Sequence, residues 1–326
     1  MREESTDKLR EACGTLPNRE EIIVSNIYFG CEILEVELID KPCNPYKSIF
    51  EMATATWGDD QYRNKWKRVG ALQRYIVVSN ALKGNTLPTA LESPQFTFTV
   101  RGVPRHCFDQ MARARIGTGF GSIGCRDNSK LDSSFILYSE YKKMSEDINF
   151  ALRTYMKLCK DIYKDIISKG KESYQMARSV LPMSYHHPFV FTQNLLALLG
   201  QCRRRMCFGE EEFIVGIHWE IRNIFQKKLK WNLIANAMRP ACDFAHKCLY
   251  SKGDGTELFG NLFAGCGRWP SKSDYSEFNK TCTNKENLEL DMGIRIPTPD
   301  KYVNFTPDEE GFSRLGEGDK MLFNEE

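Results

Sequence analysis

Apolar and polar residues alternate most cleanly in two stretches. In FTFTVR, Phe96, Phe98 and Val100 oppose Thr97, Thr99 and Arg101, which is the period of a strand with one buried face. In CEILEVELI, over 31–39, Leu34, Val36 and Leu38 share a face, and Asp40-Lys41-Pro42 closes the run. Elsewhere the spacing changes to three and four. Over 141–169 apolar residues fall at Tyr141, Met144, Ile148, Leu152, Tyr155, Cys159, Ile162 and Ile166, ahead of Gly170. That predicts a long helix with this face buried and a glycine stop. A second helix over 211–228 would bury Ile214, Ile217, Ile221, Ile224 and Phe225. Shorter helices are predicted after Asn44-Pro45 and over 62–81, before the turn Lys83-Gly84-Asn85. From Gly253 onward periodicity fades into Gly, Ser, Asn, Asp and Pro. An irregular C-terminal extension is expected there, partly disordered or lying over the surface beyond Lys285.

Candidate chemistry concentrates just after the first of these strands. A short helix over 105–115 brings Gln110, Arg113 and Arg115 together at its C-terminal end. It runs into a loop with Gly117, Gly119, Gly121 and Gly124, where bare backbone amides can approach an anion. Two guanidiniums beside such a loop suit a phosphate or a dinucleotide. His186 and His187, next to Pro188, read as residues of a proline turn.

Composition narrows the setting. With 326 residues the chain can build a sizeable core, and its net charge of +2 gives no bulk electrostatic case for nucleic-acid or membrane binding. No apolar run is long enough to span a bilayer, and the polar start lacks the apolar core of a signal peptide; a cytoplasmic protein is expected. In a reducing compartment its twelve cysteines point to metal ligands or buried thiols before disulfides.

Taken in order, the motifs resemble those of the flavin-dependent thymidylate synthases. Pro104-Arg105, Gln110, Arg113-Ala114-Arg115 and Ser122 with Arg126 correspond to the family's Ser-Arg, Gln, Arg-His-Arg and Ser-x-Arg elements. Upstream, Thr89 and Glu92 keep two places of a His-x-Ser-x-x-Glu element whose histidine is here Leu87. Downstream, Arg178 precedes Val180-Leu181-Pro182 as in the family's Ala-Arg-x-x-Leu-Pro. Asn194 leads to Arg205 as in its Asn helix, although Leu196 replaces an arginine, and Trp219-Glu220-Ile221-Arg222 resembles its Gln-Trp-Glu-Ile helix. The resemblance covers about residues 31–245.

That resemblance implies an α/β fold, a mixed or antiparallel sheet packed against long helices. It gives a domain over 31–250 between an N-terminal extension (1–30) and a C-terminal one (251–326). It further implies transfer of a one-carbon unit from methylenetetrahydrofolate to carbon 5 of dUMP. FAD would be the cofactor, recharged by NADPH, in a homotetramer with active sites at subunit contacts. Arg205 would polarise the pyrimidine; Arg178 would anchor the phosphate, and Gln110, Ser122 and Arg126 would add substrate contacts. Thr89, Glu92, Arg113, Arg115 and Asn194 would border the flavin. Some relatives carry cysteines at similar places, so Cys207, Cys242, Cys248 and Cys266 are either a four-thiolate zinc site or plain reduced thiols. Because Leu87, Ala114 and Leu196 all depart on the flavin side, two other readings stand beside the synthase. One is a sister enzyme that methylates or hydroxymethylates another pyrimidine nucleotide; the other is a nucleotide-binding paralogue without turnover.

Overall fold

The computed structural model describes residues 26–55, 65–125, 128–170, 173–245 and 312–325. In chain order the strands are β1 (Ile27–Phe29), β2 (Glu35–Asp40), β3 (Gln95–Arg101), β4 (Thr118–Ser122), β5 (Phe135–Leu137) and β6 (Phe189–Asn194). The helices are α1 (Pro45–Thr54), α2 (Lys65–Arg68), α3 (Ala71–Lys83), α4 (Arg105–Met111), α5 (Glu146–Ile167), α6 (Tyr174–Ala177) and α7 (Leu195–Arg205). They continue with α8 (Glu212–Asn223), α9 (Asn232–Ala237), α10 (Ala241–Ala245) and α11 (Glu317–Asn324). The fold is mixed α/β, as expected. Contacts divide the described residues into two compact units, one holding those up to Phe29 and from Gly124 to Tyr185, the other holding the rest.

In the smaller unit β1 and β5 pair in parallel, Ile27 opposite Phe135 and Phe29 opposite Leu137. Its core is Phe135, Leu137, Met156 and Tyr185, and α5 buries Met156, Cys159 and Tyr163. This corrects the expected face of that helix. Ile148, Tyr155 and Ile162 are 47%, 51% and 40% exposed. Apolar residues lie on several sides of α5, so the three-and-four spacing admits more than one buried face, and packing against Phe135 selects the one through Met156.

The larger unit is built on an antiparallel sheet in the order β2-β3-β6-β4. The alternation of β3 is realised as read, with Phe96, Phe98 and Val100 buried. Phe191 of β6 stacks on Phe98 at 5.3 Å and on Phe120 of β4 at 5.8 Å. Phe225 meets Phe96 edge-on at 5.0 Å, in the offset geometry aromatic quadrupoles favour. Helix α8 buries Ile214, Ile217 and Ile221, then passes into a π-helical turn, Ile224–Lys228. Asn44 caps α1 by accepting from the Lys47 amide at 3.0 Å.

Two expectations need correcting here. The glycine-rich stretch is the strand β4, with Gly119 opposite Thr192 and Phe120 opposite Phe191. Thr118, Phe120 and Ser122 carry an alternation that the glycine count conceals, so this backbone forms a sheet edge and not an anion loop. The second concerns the C-terminal stretch. Residues 246–311 lie outside the described residues, but α11 is a packed helix and no surface tail. Its Asp319 carboxylate accepts from the amides of Asn232 (2.8 Å), Leu233 (3.3 Å) and Gly316 (3.1 Å), and from the hydroxyl of Tyr46. Asn44 donates to the Leu322 carbonyl, Arg74 to that of Phe323 and Trp66 to that of Glu325.

Candidate functional site

The predicted helix over 105–115 ends at Met111, so Arg113 and Arg115 project from the connection between α4 and β4. This connection forms one wall of a cavity of about 590 Å³, and α7 forms another. Gly117 lets the walls meet. It sits at φ +67°, a left-handed conformation that favours glycine, and a Cβ there would come within 2.4 Å of the Asn194 side chain. The Asn194 amide donates to the Gly117 carbonyl at 2.9 Å. Asn194 also caps α7, accepting from the Ala197 amide at 2.8 Å. Next along, Leu195 donates to the Pro94 carbonyl, which ties the start of α7 to the segment carrying Glu92.

Six of the residues singled out in the sequence line this cavity: Glu92, Gln110, Arg113, Arg115, Asn194 and Arg205. Ala114 and Leu196 line it as well. Arg113, Arg115 and Glu92 are exposed, whereas Arg205 is half-buried and held by Glu210 at 2.6 Å. Thr89 is exposed on the 3₁₀ turn Pro88–Leu91, and Ser122 is exposed at the end of β4; neither lines the cavity. Arg178 is exposed in the smaller unit, on the turn Arg178–Val180. Arg126, Cys248 and Cys266 lie outside the described residues.

Sequence reasoning passed over Gln201, Gly200 and Arg204, which also line the cavity. Their spacing along α7 was the available signal, since residues three and four apart share a helix face. Behind Gln201 lies the buried His218, its Nε2 at 3.3 Å from the amide and its Nδ1 at 2.8 Å from the Ile214 carbonyl. Burial pushes this imidazole down to about 4, so it is neutral at physiological pH and serves to set the Gln201 side chain.

Among the described residues, Cys31 and Cys107 are protonated thiols, and His186 and His187 make local hydrogen bonds. Burial pushes Cys31 up to about 12, helped by Glu212, and raises Cys107 well above the ordinary thiol range. Neither would be a thiolate near neutral pH. Cys207 and Cys242 form no disulfide with another described residue, and among the described residues no group of three or more His, Cys, Asp or Glu could hold a metal ion. His186 accepts from the Gly102 amide at 3.0 Å, and Arg105 lies 3.0 Å from His187.

In charge the cavity has four arginines against one carboxylate. It can hold an anion, and Ala114, Ile116 and Leu196 offer apolar surface beside it for a flat ring.

A family model described as thymidylate synthase complementing protein matches residues 37–230. The flavin-dependent thymidylate synthase of Pyrococcus furiosus is 26% identical over 159 residues, 48% of this chain and 61% of that protein. The chain thus matches somewhat under two thirds of that relative's length. The flavin-dependent thymidylate synthase of Pyrococcus abyssi is 23% identical over 220 residues, covering 65% of this chain and 84% of that one. Among solved structures, the UMP/dUMP methylase PolB of Streptomyces cacaoi, bound with 5-Br dUMP, superposes with a TM-score of 0.53. It is 16% identical, over 65% of this chain and 96% of that one, and it shares the fold.

Proposed function

This chain belongs to the thymidylate synthase complementing protein family, and from that premise we propose that it converts dUMP to dTMP with a flavin. The observation that carries this reading is one cavity lined by Glu92, Gln110, Arg113, Arg115, Asn194 and Arg205. These come from three separate parts of the chain and from four different motif elements. A donor-rich wall beside apolar Ala114 and Leu196 fits FAD, whose diphosphate needs cations and whose ring needs a flat, dry surface. The flavin, when bound and reduced, supplies the hydride that completes the new methyl group, with NADPH as its reductant.

The chain's own residues bind, orient and polarise. Arg113 and Arg115 would take the anionic part of the cofactor, since a guanidinium fork matches phosphate oxygens in pairs. Glu92 and Asn194 would border the flavin, and Gln110 would contact the nucleotide. Arg205 is held in place by Glu210 and would donate its remaining N–H groups to a carbonyl oxygen of the pyrimidine. A guanidinium there stabilises negative charge on the ring and so favours the electron-rich form that can bond at carbon 5. The methylene group of methylenetetrahydrofolate adds there, its bond to the folate nitrogen breaks to release tetrahydrofolate, and the hydrogen already on that carbon leaves as a proton. Arg178 would anchor the substrate phosphate, in a homotetramer of cytoplasmic chains.

A second reading is favoured by Ala114 and Leu196, apolar residues on the cavity wall where the resemblance implies a histidine and an arginine. A sister enzyme acting on another pyrimidine nucleotide, or leaving a hydroxymethyl group, would share every other feature. One experiment tests both. Given FAD, NADPH and methylenetetrahydrofolate, the protein should release tritium from dUMP labelled at carbon 5, with dTMP as the product. Release from a different nucleotide, or a hydroxymethyl product, selects the sister enzyme. No release from any pyrimidine nucleotide removes the pyrimidine assignment.

A further inference from the structure

The run Arg203-Arg204-Arg205 ends α7, and its three side chains have different surroundings. Arg203 lies over the ring of Phe244, 5.4 Å from its centroid. Arg205 is ion-paired with Glu210 at 2.6 Å. Arg204 is exposed, and among the described residues it has no carboxylate or carbonyl partner. It lines the cavity nonetheless, on the same helix face as Gly200 and Gln201. A Cβ built on Gly200 would meet no atom within 4 Å, so the face one turn before Arg204 is open to whatever the cavity receives. On the facing wall Arg113 and Arg115 are likewise exposed and without a partner among the described residues.

We propose that Arg204 is a cofactor-binding residue of this cleft, the third guanidinium that, with Arg113 and Arg115, holds the diphosphate of a dinucleotide. This rests on the reading that the cleft takes FAD. A helix C-terminus favours cations in general, but that preference accounts equally for Arg203 and Arg205 and does not place Arg204 in the cavity lining. With Arg205 neutralised by Glu210, the wall retains three unmatched positive charges against Glu92. A diphosphate, with two adjacent anionic groups, balances that excess better than one phosphate or an uncharged ring.

The test titrates the full-length protein and its Arg204→Gln and Arg204→Lys variants with FAD, riboflavin and dUMP, following flavin fluorescence and, for dUMP, calorimetric heat. Arg204 is exposed, so both variants should fold and melt as the parent does. For Arg204→Gln, FAD affinity should fall about tenfold or more, the loss expected of a charge-assisted hydrogen bond. Riboflavin, which lacks phosphate, should bind as before, as should dUMP, and Arg204→Lys should recover part of the loss. Unchanged FAD affinity in Arg204→Gln overturns the assignment while leaving the flavin reading standing. An equal loss of riboflavin, or a loss that falls on dUMP, overturns it by moving the residue to the ring or to the substrate. A parent protein that binds dUMP but neither flavin overturns the cofactor reading and this assignment together.

Discussion

Within the larger unit, α11 and the cleft treat charge in opposite ways. Asp319 is fully buried and accepts from three backbone amides and the Tyr46 hydroxyl. Arg74, also buried, donates to the Trp66 and Phe323 carbonyls. At the cleft, Arg113, Arg115 and Arg204 stand exposed with no partner from the described residues. Burying a charge is tolerable only when its hydrogen bonds are made, and at α11 they are made within the chain. At the cleft the charges stay in water, where they cost little and remain available to an anion. The first arrangement serves stability, the second recognition.

The largest effect should come from breaking the first arrangement. Asp319→Ala strands three backbone donors and should cost about 3 kcal/mol or more in urea unfolding, with FAD affinity of the folded protein unchanged. A parallel loss of affinity would mean that the two regions are not separable. The same carboxyl gives a pH signature. Burial pushes it up to about 7, so its contribution is fully present below the unfolded value and is lost as pH rises through about 7. Unfolding midpoints should therefore fall between about pH 4 and pH 7, and Asp319→Asn should flatten that slope.

Arg113→Ala should do the reverse. FAD binding should weaken by about 2 kcal/mol, while the unfolding free energy stays within about 0.5 kcal/mol of the parent, as for an exposed substitution. A clear loss of stability would show that this arginine has a structural partner. The smallest effect concerns Gly200. A Cβ there meets nothing within 4 Å, so Gly200→Ala should stabilise α7 by about 0.5–1 kcal/mol. A destabilised variant would mean that the open helix face is closed in solution.

The sequence disclosed the parts where one residue pattern had one physical solution. Phe96, Phe98 and Val100 could only face one way in a half-buried strand, and Ile214, Ile217, Ile221, Ile224 and Phe225 are buried as read, although α8 buries its other sides as well and the last two lie in the π-helical turn. The cleft was partly legible because Glu92, Gln110, Arg113, Arg115, Asn194 and Arg205 belong to ordered motifs. Arg204 was not, because three consecutive arginines at a helix end look alike until their surroundings are known. The face of α5 was misassigned since its apolar residues admit more than one buried side. Nor could α11 be foreseen. It has only eight residues, and its stability comes from Tyr46, Asn232 and Leu233, partners that no local pattern reveals.

Those partners are distant in the chain: Tyr46 and Asp319 are 273 positions apart, and Trp66 and Glu325 are 259 apart. Contacts of such separation carry a loop-closure cost that grows with the length of chain between them, and they slow folding relative to local contacts. Docking of α11 on α1 to α3 is therefore expected to follow the formation of those helices. Hydrogen exchange at the Asn232 and Leu233 amides, which Asp319 holds, should report the release of α11.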